Sequence, residues 1–314
     1  MGEYISGGGQ WKNPDPALLP EGQMMAAQLV DDLTALDGVQ VLLAHDPSLT
    51  IPRPGLALWS DPDWSDAVAQ CDAAWIVAPE SDGILLRLTR MVEDSGRVLL
   101  GCRSDAVAIA ASKIATAQVL AEAGIPVIPT PARCGEIPAS ATGWVAKPDD
   151  GAGSCNMLAT TDLTRLQAWM AQGGRPHSHV VQPLLAGDAA SVIFLAKDGQ
   201  ASVLSINSQE MRLGEECRYA GGVIGRYEIW RPILTPLVDA VAAVLPGLWG
   251  PVGLDVLLTE TGPVIVEINP RLTTLWSGLH QALGRNTAEM VLGLAAGQAL
   301  PVCRPHREVR VELS

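Results

Sequence analysis

Phenylalanine is almost missing from this chain, and tyrosine is scarce: 314 residues hold one Phe and three Tyr, so most aromatic side chains are its nine tryptophans. The six cysteines (Cys71, Cys102, Cys134, Cys155, Cys217, Cys303) are scattered and form no C-x-x-C pair. That spacing speaks against a thiolate zinc site or a disulfide framework, and reduced thiols in a cytoplasmic protein are the expectation. No apolar run reaches the roughly 18 residues a membrane-crossing helix needs. The N-terminus lacks a basic-then-apolar signal, so no membrane partner is expected. Positive charge is also short, with 21 Lys and Arg against 34 Asp and Glu and a formal charge of −13. No basic face is then available for nucleic acid. Nor does a G-x-G-x-x-G fingerprint occur, which argues against a dinucleotide site. In such a chain the few well-placed lysines and arginines become informative.

The length suffices for two or three packed units. The opening Met1-Gly2-Glu3-Tyr4-Ile5-Ser6-Gly7-Gly8-Gly9 reads as a strand end entering a glycine loop, as though part of that strand preceded Met1. Apolar spacing then predicts helices over 21–36, 65–70 and 84–93, alternating with strands over 39–44, 73–78 and 97–100. This βαβ rhythm implies a parallel sheet covered on both faces. A long alanine-rich helix is expected over 104–123, stopped by Gly124 and Pro126. Pro126, Pro129, Pro131 and Pro138 form an extended connector. Strands over 144–148, 179–184, 190–196 and 201–206, a helix over 163–170, and helices over 234–245 and 286–296 complete an α+β remainder. The division that follows is 1–103, 104–196 and 197–314.

Chemistry concentrates near the C-terminus. Gly253-Leu254-Asp255-Val256 and Val264-Ile265-Val266-Glu267-Ile268-Asn269-Pro270-Arg271 read as two strands joined by a turn over 259–263. In an antiparallel hairpin Asp255 can face its partner strand, and Glu267 and Asn269, two apart, point to one side. Two carboxylates and an amide suit Mg²⁺, which keeps some waters and binds substrate phosphates. Upstream, Lys147-Pro148 runs into Asp149-Asp150-Gly151-Ala152-Gly153-Ser154, where glycines let backbone N–H groups approach phosphates.

Taken in order, Ser112-Lys113 with Gly124-Ile125-Pro126-Val127, the Lys147-Pro148 glycine loop, Val180-Val181-Gln182-Pro183-Leu184-Leu185-Ala186-Gly187, and the Asp255/Glu267-Ile268-Asn269-Pro270-Arg271 pair resemble the ATP-grasp superfamily. The resemblance implies a mixed α/β and α+β fold: an N-terminal Rossmann-like parallel-sheet domain and two α+β lobes enclosing ATP. It implies that Lys113, Lys147, Gly151, Gly153 and Ser154 hold phosphates, and that the backbone of Gln182, Pro183 and Leu184 reads adenine between Val145 and Leu257. Many members carry a glutamate where Gln182 stands; Asp188 is the nearest acidic candidate for the ribose. Asp255, Glu267 and Asn269 would hold Mg²⁺, with Mn²⁺ as an alternative. Arg271 would stabilise an acyl phosphate, and Arg218 would grip the acceptor.

The opening segment, Tyr219-Ala220-Gly221-Gly222 and Gly187-Asp188-Ala189-Ala190-Ser191 look like a small branch of that superfamily. This branch includes the tyramine–glutamate ligase of methanofuran biosynthesis and relatives in methylotrophic bacteria. The implied partners are small molecules, glutamate and either tyramine or tyrosine, and assembly as a homodimer stays open. Rival expectations are an ATP-grasp ligase with other substrates, a nucleotide-binding regulatory subunit, and a biotin-dependent carboxylase component, for which no carrier segment is evident.

Overall fold

The computed structural model describes residues 1–9, 18–151, 156–212 and 217–313. In the N-terminal part, parallel pairs form between Gly2–Glu3 and Ile76–Val77, between Leu42–Ala44 and Ala57–Trp59, and between Ala73–Ala74 and Val98–Leu99. They join edge to edge: the Met1 ammonium donates to the Leu42 carbonyl at 2.7 Å, and the Ala44 N–H donates to the Met1 carbonyl at 3.0 Å. Side chains along the central strand alternate between two cores. Ala74, Ile76 and Ala78 pack with Leu85, Leu88 and Val92 of the helix Ile84–Asp94, while Trp75 and Val77 pack with Met25, Leu29 and Leu33 of the helix Leu19–Thr34. Period-two burial on both faces is what a covered parallel sheet requires. The strand Ala57–Trp59 was not foreseen; its short apolar run follows closely spaced prolines.

The expected long helix is two helices, Ser104–Ala110 and Lys113–Glu122. Ser112 breaks it, with an extended backbone and a side chain that accepts from the Ala115 N–H. Asp149, far along the chain, then accepts from the Ile114 N–H at 2.9 Å and from the Ser112 hydroxyl at 2.7 Å. A capped N-terminus beats alanine propensity here because two donors of the first turn are satisfied at once.

Trp144–Pro148, Leu158–Thr160 and His179–Pro183 form a three-stranded antiparallel sheet backed by the helix Leu163–Met170. The last and largest sheet runs in the order Gly262–Asn269, Gly250–Thr259, Asp188–Lys197, Gln200–Arg212, Arg218–Ile224, Val309–Glu312. Asp188–Lys197 thus pairs with both Gln200–Arg212 and Gly250–Thr259, so a boundary at 196 cuts a hairpin. That hairpin turns at Asp198 and Gly199, both at positive φ (53° and 76°), as a tight two-residue turn demands. Arg231–Val244 covers one face of this sheet, while Leu279–Leu283 and Thr287–Ala295 cover the other. The connector after Pro126 lies beside the acidic hairpin, where the Ile128 N–H donates to the Ile265 carbonyl and the Ile265 N–H donates to the Pro126 carbonyl.

Candidate active site

Antiparallel register sets Asp255 directly opposite Glu267 and Gly253 opposite Asn269, so the three donor residues share one face of the hairpin. Gly253 has no room for a Cβ, which would lie 2.5 Å from the Thr273 methyl; the chain after Arg271 folds back onto it. Asp255 is held by two amides, with Gln209 Nε2 donating to Oδ1 at 2.9 Å and Asn269 Nδ2 donating to Oδ2 at 3.3 Å. Burial first, then the facing Glu267 charge, push the Asp255 carboxyl up to about 7.

Glu267 has the opposite surroundings. Lys113 Nζ lies 3.4 Å and Lys147 Nζ 3.6 Å from its Oε2. Burial acts to raise the Glu267 carboxyl, yet the two ammonium groups outweigh it and hold the group low. Lys147 in turn is pushed down to about 8, first by burial and then by Lys113, against the pull of Glu267. Both lysines are buried, so neither is the solvated surface residue that an isolated lysine would be. Lys147 reaches this spot because alternation along Trp144–Pro148 sends Trp144 and Ala146 into the small core, and Val145 and Lys147 into the cleft. Lys113 Nζ also donates to the carbonyls of Asp149 and Gly151, at 3.3 and 3.1 Å. The base of the glycine loop is thereby tied to the helix that carries Lys113.

These groups open on one cavity of about 400 Å³ between the three-stranded and six-stranded sheets. A domain model described as ATP-grasp domain matches residues 110–275, and one described as pre ATP-grasp 3 domain matches residues 39–107. The chain belongs to the ATP-grasp family. A tyramine–L-glutamate ligase of Methanocaldococcus jannaschii is 29% identical over 209 residues, 66% of this chain and 58% of that enzyme, so the match spans less than two thirds of its length. A tyramine–L-glutamate ligase of Methanocaldococcus fervens is 26% identical over 280 residues, 84% of each chain. An ATP-grasp superfamily protein of Archaeoglobus fulgidus superposes with a TM-score of 0.74 at 24% identity, covering 99% of this chain and 90% of that one, which shows the same fold.

Within the ATP-grasp cleft, Lys113, Lys147, Gly151, Gln182, Pro183, Leu184, Asp188, Asp255, Glu267, Asn269 and Arg271 all line the cavity, together with the apolar walls Val145 and Leu257. Gly153 and Ser154 lie outside the described residues. Gln182 is buried, and its Nε2 donates to Thr130 Oγ1 at 2.8 Å, which fixes the strand to the connector. Asp188 is exposed at the rim. Arg271 reaches the cavity already paired, Nη2 donating to Glu80 Oε2 at 2.9 Å, while its Nε and Glu80 Oε1 are buried without a hydrogen-bond partner.

Arg218, expected to grip the acceptor, stands apart from the other candidates. It is exposed and absent from the cavity lining, while its neighbour Tyr219 and the paired Met211 line it. On the strand Arg218–Ile224, period-two alternation turns Arg218 away when Tyr219 points in. Gly221 and Gly222 lie within that strand, where a Cβ on either would lie 2.1 Å from a carbonyl of a neighbouring strand, Val311 O and Ser208 O. Residues that the motifs did not mark but that line the cleft include Glu21, Met157, Gln209 and Thr274. Gln209 could have been found only by pairing its strand with the hairpin two strands away.

The donor set fits a hard divalent cation. Two half-buried carboxylates face each other, and a cation between them would offset the burial and the like-charge opposition that raise Asp255. Among the described residues no cluster of three or more His, Cys, Asp or Glu forms, so ligand oxygens or water would have to complete the shell, as Mg²⁺ tolerates.

Proposed function

We propose that this protein is an ATP-dependent carboxylate–amine ligase. It activates a carboxylate, the γ-carboxylate of glutamate, as an acyl phosphate and joins it to the amine of tyramine or tyrosine in methanofuran- or methylofuran-type cofactor synthesis. The observation that carries the ligase reading is the convergence of Lys113 and Lys147 on Glu267 inside the cleft, at 3.4 and 3.6 Å. The substrate reading is supported by the named activity of the two Methanocaldococcus relatives.

The residues divide the work. Lys113 and Lys147 take the phosphate chain as compact point charges in a buried place, where an ammonium attracts an anion strongly. Val145 and Leu257 offer apolar faces to the base, beside the backbone of Gln182–Leu184. Asp255, Glu267 and Asn269 would hold Mg²⁺, which when bound neutralises charge as the phosphoryl group moves. Arg271 stands beside that group to stabilise the acyl phosphate. Attack by the amine nitrogen on the acyl carbon then forms the C–N bond and expels inorganic phosphate. Catalysis of this kind is mostly placement and charge neutralisation.

Mass spectrometry of products from ATP, glutamate and a panel of amines, with ADP release followed in parallel, tests both levels. Amide product with tyramine or tyrosine is the expected result. If those pairs release no more ADP than glutamate alone, the substrate reading fails; if no acid and amine pair releases ADP, the ligase reading fails.

A further inference from the structure

Among the described residues four carboxylates line the cleft: Glu21, Asp188, Asp255 and Glu267. Asp255 is bound by the amides of Gln209 and Asn269, and Glu267 by two lysines. Asp188 stands at the exposed rim beside Gly187. Glu21 is the remainder, and it comes from a different part of the molecule. It sits in the first turn of Leu19–Thr34, half-buried, and its carboxylate accepts a hydrogen bond from the Thr274 hydroxyl. The nearby cation Arg271 is taken by Glu80 at 2.9 Å, and among the described residues no cation pairs with Glu21.

The position of Glu21 is fixed by what it acts on. It borders both the main cavity and a smaller one of about 40 Å³, and Arg271 is the other residue that borders both. Burial, then the charges of Asp255 and Glu21, push the Tyr219 phenol up, so both carboxylates stand near that ring. Burial works against the Arg271 cation, and Glu80, Glu21 and Glu267 together hold it charged. Glu21 and the acidic hairpin therefore look onto one volume, which Arg271 and Tyr219 also line. An anion facing the reacting end of the cleft, without a protein cation of its own, suits a substrate cation.

We propose that Glu21 is the ammonium-binding residue of the cleft, its carboxylate holding a primary ammonium group of a substrate beside Thr274. The proposal rests on the ligase reading. Two substrate groups share this chemistry: the α-ammonium of the amino acid whose side-chain carboxylate is activated, and the ammonium of the amine acceptor before it loses its proton.

Hydroxylamine trapping separates them. With ATP and Mg²⁺, hydroxylamine intercepts an acyl phosphate as a hydroxamate without the natural amine, so the carboxylate half-reaction is read alone. Glutarate serves as the glutamate analogue that lacks the ammonium. If Glu21 holds the α-ammonium, Glu21→Gln raises the glutamate KM roughly ten- to a hundredfold, as loss of a charge-assisted contact does, and leaves the glutarate KM alone. If it holds the acceptor, hydroxamate formation from glutamate stays at the wild-type level and the tyramine KM rises by that factor. Either result supports the proposal and names the group.

Thr274→Val removes the same hydrogen bond but keeps the carboxylate, so it keeps the dependence on the ammonium. The ATP KM and circular dichroism of each variant report an intact fold. Equal KM shifts for glutamate and glutarate in Glu21→Gln, or shifts within twofold for glutamate and tyramine alike, overturn the proposal. Absence of hydroxamate from the wild-type protein with every acid overturns the ligase reading and takes this inference with it.

Discussion

In one part of the cleft two lysines share a single carboxylate, whereas close by one arginine has a carboxylate to itself. Lys113 and Lys147 both turn to Glu267 Oε2, at 3.4 and 3.6 Å. Arg271 and Glu80 form a one-to-one pair at 2.9 Å, with side chains 11% and 6% exposed. The lysine group thus holds one more cation than the carboxylate it shares, and burial has already pushed Lys147 down to about 8, so a phosphate chain would relieve it. The Arg271–Glu80 pair balances on its own, and Glu21 and Glu267 add further negative charge near the guanidinium. Two cations that look alike in sequence differ in this way: the lysines wait for an anion, and the arginine is held by Glu80 across the contact between the N-terminal sheet and the chain that follows the acidic hairpin.

Breaking the shared carboxylate has the largest expected effect. Glu267→Gln removes the negative charge between the lysines and one of the candidate metal donors. Turnover at saturating ATP is expected to fall about a thousandfold, comparable to loss of a main electrostatic contact in a closed site. A steady-state assay checks it, and a wild-type rate would move the reacting centre away from the hairpin. Next comes the arginine pair. Glu80→Gln leaves a buried guanidinium without its counter-charge, which costs on the order of 3 kcal/mol. Denaturant unfolding with an unchanged slope should show that loss, and an unaltered midpoint would mean the pair is solvated in solution. Lys147→Ala is smaller, raising the ATP KM about thirtyfold with little change in turnover, because one charge-assisted contact of two is lost. A dominant effect on turnover would give Lys147 a role beyond binding.

The lysine group was legible in the sequence and the arginine pair only half so. Asp255, Glu267 and Asn269 fall on one face because strand alternation and a short turn dictate it, and Lys147 declares itself by the Pro148 and glycine loop that follow. Those signals are local. Glu80, Gln209 and Glu21 carry no local mark, since each reaches the cleft through a different layer: Glu80 after a parallel strand, Gln209 across the six-stranded sheet, Glu21 from a helix on the far face. Arg218 lies outside the lining for a related reason. The glycines Gly221 and Gly222 serve close strand packing, and alternation hands the cleft to Tyr219. The helix break at Ser112 is the same case in the fold, because the capping Asp149 lies 37 positions away. What sequence lacked was pairing between segments, and pairing decides which of two alternating side chains faces inward.

The smallest expected effect lies at the rim of the lysine half. Asp188 follows Gly187, whose missing Cβ would lie 2.9 Å from the Leu258 carbonyl, so the chain there is pressed against the neighbouring strand and the acid is held at the mouth of the cavity. Exposed to water, it can add only a modest contact to a ribose hydroxyl. Replacing it with alanine should raise the ATP KM about threefold, as loss of one solvent-screened hydrogen bond does, and leave turnover unchanged. The sharper reading is the ratio of KM values for 2′-deoxy-ATP and ATP, since an analogue without the hydroxyl loses the same contact. In the wild-type protein that ratio should exceed one by the same factor, and in Asp188→Ala it should fall to about one. A ratio unchanged by the substitution would move the ribose contact to another residue and leave Asp188 as a solvated rim carboxylate, while the lysine grip on the phosphates, which does not depend on it, would stand.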